Sequence, residues 1–134
     1  MKTYVLDTSA LLAFIDGKPG AVKVRDCLNE ALRGRAAVFM SAINYGEVYG
    51  VLLRLYGRDR ALSTMSAVHP LPINIADATR QRALDTAETK LKYKLYYADG
   101  FAAALAIELT ASLVTSDSDF RRLSHSFPIV WLKV

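Results

Sequence analysis

The sequence has a single cysteine, Cys27, so no disulfide can form within its 134 residues. Small secreted domains usually depend on several disulfides, and we therefore expect a reducing, cytoplasmic setting. No run reaches the roughly 18 consecutive apolar residues that a membrane span requires. Asp7 interrupts the first apolar stretch, so the N-terminus does not read as a signal peptide. These absences predict a protein without a membrane partner.

Three common signatures of catalytic sites are also absent, namely CxxC, HExxH and GxxxxGK[ST]. The only two histidines, His69 and His125, lie in predicted loops far apart in the sequence, and neither is expected to bind a metal or act as a base. Apolar residues make up 52% of the chain and charged residues 22%, which is typical of a globular domain and argues against disorder. We expect one domain spanning residues 1–134.

The net charge is +4 and the isoelectric point is about 9.3, which mildly favours an anionic partner such as nucleic acid. Predicted strands alternate with predicted helices, a pattern typical of an α/β fold with a parallel sheet covered on both faces. The strands are expected at 3–6, 37–40, 111–115 and 128–132, with room for another within 69–73. The helices are expected at 21–33, 42–56, 58–68, 75–95, 101–109 and 118–123.

Three aspartates stand where predicted buried elements end or begin. Asp7 and Asp117 each follow a predicted strand, and Asp99 precedes the apolar helix at 101–109. Ligands of open parallel sheets bind outside the carboxyl ends of the strands, so Asp7 and Asp117 are expected to face one crevice. An ionised carboxylate costs several kcal/mol to bury without a partner, which makes the position of Asp7 informative.

Glu47 is a fourth acid at an unusual position. On the predicted helix 42–56 it lies between Ile43 and Val51, at the edge of the apolar stripe. Carboxylates that converge without basic partners repel one another, so either their pKa values rise or a cation fills the space. Oxygen ligands of this kind suit Mg²⁺ or Mn²⁺.

Each acid also has an ordinary structural interpretation. Asp7 could cap a short helix that begins near residue 9, and Asp99 could cap the helix that follows it. The same role is open to Asp117 or to Ser116. Glu47 alone would more often be a solvated residue at a helix edge. The four acids together are more specific than any one of them.

Four stretches carry these acids, and they resemble the four motifs of the PIN-domain ribonucleases, most closely the VapC-type toxins of toxin–antitoxin pairs. In chain order the stretches are VLDTSALLAF, SAINYGEVYGVLLR, YYADGFAAALAIEL and LVTSDSDFRRL. The resemblance covers essentially the whole chain. Gly100 stands where the family usually has alanine, which is a small departure. The matching acids are Asp7, Glu47, Asp99 and Asp117, and the accompanying side chains are Thr8, Ser9, Thr115 and Asp119.

The resemblance implies a three-layer α/β/α sandwich with a central parallel sheet. It further implies an endoribonuclease that hydrolyses RNA phosphodiester bonds with Mg²⁺ or Mn²⁺, acts as a homodimer and is held inactive by an antitoxin protein. The four matching acids would be both the catalytic residues and the metal ligands. Thr8 and Thr115 would support them, and Asp119 is either a further acid of the site or an ordinary first-turn helix acid.

Basic residues near these motifs are candidates for binding RNA. The stretch KLKYKLYY at 90–97 interleaves lysines with tyrosines, which suits a phosphate backbone and stacked bases, although a solvated surface segment explains it equally well. The candidates are Lys92, Lys94, Arg121 and Arg122.

Other functions fit the acids less well. A signalling receiver domain needs paired acids near its N-terminus and a lysine after its last strand, whereas Lys133 is almost terminal here. An aspartyl phosphatase needs DxDxT, and the second Asp is missing after Asp7. The remaining alternative is a catalytically inactive PIN-like module that binds RNA or protein.

Overall fold

The computed structural model describes residues 1–133. Five strands are present, β1 to β5 in chain order: Lys2–Leu6, Ala36–Ser41, Asn74–Ala76, Ser112–Thr115 and Ile129–Trp131. Six α-helices, α1 to α6, accompany them: Thr8–Ile15, Ala21–Leu32, Ala42–Tyr56, Arg58–Val68, Arg80–Tyr93 and Tyr97–Glu108. A 3₁₀ helix spans Ser118–Leu123.

The strands form one parallel sheet in the order β3-β2-β1-β4-β5. The chain runs outward from β1 to β3 and then returns to place β4 on the other side of β1. The strand order therefore reverses between β1 and β4, where Leu6 lies opposite Val114. A reversal of this kind opens a crevice at the carboxyl ends of the two strands, which is where ligands bind in such sheets.

Successive residues of β1 point to opposite faces of the sheet. Val5 packs in a cluster with α6, whereas Leu6 packs with α1 and α2. Helices α3 and α4 extend the second layer through a third cluster that includes Met40 and Leu52. The sheet is therefore covered on both faces, which confirms the predicted α/β/α sandwich.

Helix α6 is the most deeply buried helix, and every residue from 100 to 106 is buried. Four alanines in this stretch let α6 lie close to the sheet and to α5. A Cβ added at Gly100 would come within 3.2 Å of Thr86 Cγ2 and 3.3 Å of Lys90 Cβ on α5. The glycine therefore permits the close approach of the two helices at the point where the family usually has alanine.

Several predicted boundaries were wrong. Residues 69–73 hold no strand, because Pro70 and Pro72 break them into turns, and β3 follows at Asn74–Ala76. Helix α5 consequently begins at Arg80 and not at 75. Helix α6 begins at Tyr97, four residues before its predicted start, so Asp99 lies in its first turn and is not its cap.

Helix α1 was predicted only as an alternative, in which Asp7 caps a short helix that begins near residue 9. Asp7 is indeed the N-cap residue, and its side chain accepts a hydrogen bond from Ala10 N. Among residues 1–133, no helix has the length and apolar character needed to cross a membrane.

Candidate metal centre

The four predicted acids line one open pocket at the carboxyl ends of β1 and β4. Its volume is about 650 Å³. Leu12 and Ile43 contribute an apolar wall, and Tyr96 and Tyr97 stand at the rim. The acids that line it are Asp7, Glu47, Asp99 and Asp117.

Asp7 is fixed at the floor of this pocket and is only 3% exposed. One carboxylate oxygen accepts hydrogen bonds from Ser9 Oγ at 2.7 Å and from Ala10 N at 2.9 Å. The other accepts from Thr115 Oγ1 at 2.5 Å. The pKa of Asp7 is raised to about 6, because burial and, to a lesser extent, the charge of Asp117 outweigh the lowering effect of these bonds. Asp7 is thus both a helix cap and a pocket acid.

Thr115 joins the two strand ends through its hydroxyl, which donates to Asp7 and accepts from Asp117 N at 2.9 Å. Asp117 in turn caps the 3₁₀ helix by accepting from Asp119 N at 2.9 Å. The predicted cap role of Asp117 is therefore present as well, and it holds the carboxylate in place. Thr115 itself is fully buried, so this connection is shielded from solvent.

Glu47 enters the pocket from α3, in the second turn of the helix, which is capped by the hydroxyl of Ser41. Thr8 Oγ1, in the first turn of α1, donates to Glu47 Oε1 at 2.5 Å. Since Thr8 immediately follows Asp7, this bond fixes Glu47 relative to the floor of the pocket.

Asp99 reaches the pocket from the first turn of α6. The pKa of Asp99 is raised to about 7, chiefly by burial and then by the charges of the neighbouring acids, those of Asp117, Asp7, Glu47 and Asp119 in that order. Among residues 1–133 the salt bridges join Arg33 to Glu30 and Arg82 to Glu108, and neither involves a pocket acid. The site therefore combines several carboxylates with no neutralising side chain in the described part of the chain.

The donor set fits a divalent cation. One carboxylate oxygen from each of Asp99, Asp117 and Asp119 lies within 4.8 Å of the others. Such a group of hard oxygen ligands suits Mg²⁺ or Mn²⁺. Asp119 thus lies close to Asp99 and Asp117, although it does not line the pocket. Asp7 is outside this group, and its oxygens accept from Ser9, Ala10 and Thr115.

The four basic residues proposed from the sequence do not line the acidic pocket. Arg122 donates to Lys94 O at 3.1 Å, and Lys92 lies over the ring of Tyr93 at 5.2 Å. The Arg122 side chain therefore lies beside Lys94, at the end of α5. Arg121 faces a different groove that also contains Trp131.

Sequence reasoning missed Asn44, which is 1% exposed and lies between the pocket acids. Its side chain contacts Thr8 Oγ1 at 3.2 Å and Ala98 O at 3.1 Å. The available signal was a polar residue four positions before Val48, on the stripe of α3 that is otherwise buried and apolar.

The comparisons with known proteins identify a family and a shared fold. The PIN domain is the family whose sequence model matches, over residues 4–126. No curated protein matches the chain significantly. VapBC2 from Rickettsia felis, bound to a fragment of promoter DNA, is similar with a TM-score of 0.77 and 18% identity, covering 98% of this chain and 99% of that one.

Two further solved structures are similar. For the DNA-bound VapBC of Salmonella typhimurium the TM-score is 0.74 at 19% identity, with coverage of 97% and 98% of the two chains. For VapC20 of Mycobacterium tuberculosis, a toxin that cleaves the sarcin–ricin loop, the TM-score is 0.70 at 14% identity, with coverage of 92% of this chain and 95% of that one. At identities this low, the structural similarity establishes a shared fold and nothing more.

Proposed function

Because the chain belongs to the PIN domain family, we propose that it is a metal-dependent endoribonuclease and the toxin of a toxin–antitoxin pair. The observation that carries the proposal is the pocket of four acids without a basic partner among its lining residues. A purely structural role would require at most the two caps that Asp7 and Asp117 provide. It would not require Glu47 and Asp99 to converge on the same space.

We assign the metal ligands to Asp99, Asp117 and Asp119, with Asp7 as a further ligand from the floor. When bound, Mg²⁺ or Mn²⁺ would supply charge neutralisation at the phosphate and activate water near neutral pH. Glu47 is proposed to orient the attacking water, because Thr8 holds its Oε1 in place. Thr115 is proposed to support the site by bonding both the Asp7 carboxylate and the backbone N–H of Asp117.

The RNA is proposed to approach past Lys92, Lys94 and Arg122 toward the tyrosines at the pocket rim. Tyr96 and Tyr97 are 77% and 58% exposed, and the ring of Tyr97 is held edge-on against Phe101 at 5.1 Å. Exposed aromatic rings beside a basic surface suit stacking with unpaired bases. Arg121 is assigned to the same strand farther from the cut, in the groove with Trp131.

The partners follow from the charge of the pocket and from the solved relatives. The Rickettsia felis and Salmonella typhimurium structures are of VapBC bound to DNA, so we propose a cognate antitoxin here. A homodimer is proposed from the family resemblance alone. An unneutralised acidic pocket is a natural target for a basic side chain of an inhibitor. The proposed site of action is cytoplasmic RNA.

The decisive experiment incubates the purified protein with total cellular RNA, with Mg²⁺ or with EDTA. We expect discrete cleavage products only with the metal, and none from Asp117→Asn. Asp59→Asn is the matched control, because Asp59 also lies in the first turn of a helix but outside the pocket. RNA that is bound but left intact under all metal conditions would favour the inactive binding module.

A further inference from the structure

Asn44 and Thr8 form a directed chain of hydrogen bonds that ends on Glu47. Asn44 Nδ2 lies 3.1 Å from Ala98 O and 3.2 Å from Thr8 Oγ1. A backbone carbonyl can only accept, so the amide nitrogen of Asn44, and not its oxygen, must face Ala98. The second hydrogen of the same nitrogen then points to Thr8.

This arrangement determines what the Thr8 hydroxyl does. Because Thr8 Oγ1 accepts from Asn44, its one proton is available for a single acceptor elsewhere. Glu47 Oε1 lies 2.5 Å away, whereas the other acceptor within reach, Asn44 O, lies at 3.5 Å, beyond the usual range of an O–H···O bond. The proton of Thr8 therefore points to Glu47.

The same amide connects two of the helices that carry acids. Asn44 belongs to α3, three residues before Glu47, and Ala98 immediately precedes Asp99 on α6. Asn44 Oδ1 is buried and makes no hydrogen bond to any residue from 1 to 133. The hydrogen bonds of this side chain are thus made entirely by its NH₂ group, which faces the two segments that carry the acids.

We propose that Asn44 is a positioning residue of the metal centre: it directs the Thr8 hydroxyl onto Glu47 and holds the start of α6 at a fixed distance from α3. This proposal rests on the proposed function for its effect on catalysis. Its geometric part concerns only the hydrogen-bond chain and can be measured without activity. Residues that orient metal ligands or their neighbours typically change metal affinity or activity by about 10- to 100-fold when they are replaced.

The test is a double-mutant cycle between Asn44→Leu and Thr8→Val, which remove the amide and the hydroxyl at nearly constant shape. Each is expected to lower kcat about 10-fold with little change in KM. Asn44→Leu, which also frees the start of α6 beside the ligand Asp99, is expected to weaken Mn²⁺ binding by about the same factor. Because both act through one chain, the double variant should also lose about 10-fold, and not about 100-fold. Thr8→Ser, which keeps the hydroxyl, should restore most of the activity lost in Thr8→Val.

The matched control is Asn74→Leu, which removes another bond from an Asn amide to a backbone carbonyl, at Val38 O, outside the pocket. It should leave kcat and Mn²⁺ affinity unchanged. If Asn44→Leu does not fold, Asn44→Asp replaces it: the new carboxylate accepts from Thr8, withdraws the hydroxyl from Glu47 and should lower kcat similarly. Wild-type kcat and Mn²⁺ affinity in either folded variant, or losses that multiply in the double variant, would overturn the proposal.

A second readout separates this proposal from the proposed function. In NMR spectra the signal of the Glu47 carboxylate carbon should shift by the same amount in Asn44→Leu and in Thr8→Val. Asn44→Asp takes the place of Asn44→Leu if the latter does not fold. Asn74→Leu should leave the signal unchanged. If the wild type neither cleaves RNA nor binds Mn²⁺ but the variants show these shifts, the proposed nuclease function is refuted and the hydrogen-bond chain is retained. An unmoved Glu47 signal would refute the chain itself, whatever the activity.

Discussion

Replacing Asp99 with Asn should stabilise the metal-free protein, by an amount that grows with pH. The pKa of Asp99 is raised to about 7, first by burial and then by the surrounding acids. A carboxyl whose pKa is raised on folding binds more protons in the folded state than in the unfolded one. The free energy of unfolding therefore falls as the pH rises from about 4 to 7, and the full destabilisation by the ionised Asp99 is present above pH 7.

The size of the effect follows from the shift. A rise of about three pKa units corresponds to about 4 kcal/mol at pH 8, and to about 1 kcal/mol at pH 4.5, where the folded carboxyl is already neutral. The favourable interaction of Asp99 with the helix dipole, roughly 0.3–1 kcal/mol, is lost in the variant. Solvent screening of a partly exposed group reduces the gain further. We expect about 2–3 kcal/mol at pH 8, or roughly 8–12 °C in melting temperature.

The assay is denaturant unfolding of the two proteins in EDTA at pH 4.5, 6 and 8. Asp59→Asn should not stabilise the protein at pH 8, since this first-turn acid of α4 does not line the acidic pocket. Millimolar Mg²⁺ at pH 8 should close the gap, because it stabilises the wild type by mass action. A stability gain that does not vary with pH, or a loss at pH 8, would mean that folding does not raise the pKa of Asp99.

Four other perturbations have expected outcomes. Asp7→Asn should keep the α1 cap but lose RNA cleavage and the rise in melting temperature with Mg²⁺, and a variant that still cuts RNA would remove Asp7 from the site. Replacing Lys92 and Lys94 together with Ala should reduce the slope of log affinity against log salt by about 1.4, and an unchanged slope would leave them as solvated surface. Tyr96→Leu should raise KM for RNA about 5- to 150-fold with kcat retained, which corresponds to about 1–3 kcal/mol of lost base stacking, and an unchanged KM would exclude that contact. A structure of the complex with the antitoxin should place an Arg or Lys beside Asp7 and Asp117, whereas a partner seated only on the far face would contradict the inhibitory role of the pocket.

The parallel sheet and most of its helices could be predicted because the relevant signals are local. Helices α3 and α4 have the predicted bounds, since Ser41 caps the first and Gly57, at φ +80°, separates the two. The errors fell where tertiary contacts decide. The strand at Asn74–Ala76 has three residues and exists through its pairing with β2, and this pairing has no signal within the segment itself.

The sequence by itself determined the kind of site. Acids placed just after buried strands, or at the edge of an apolar stripe, are costly unless they share a role, and their order along the chain carries the family resemblance. This much follows from residue type and spacing, because the carboxyl ends of parallel strands must meet at one edge of the sheet.

Only the tertiary structure decided which atoms meet. The reversal of strand order between β1 and β4 brings Thr115 to Asp7, 108 positions away in the chain, and the packing of α3 against α6 brings Asn44 to Ala98. Hydrogen bonds depend on tenths of an ångström and on the direction of a single proton. A pattern of residue types does not encode such distances, so the division of roles among Asp7, Asp119 and Asn44 emerges only when the helices and strands are packed together.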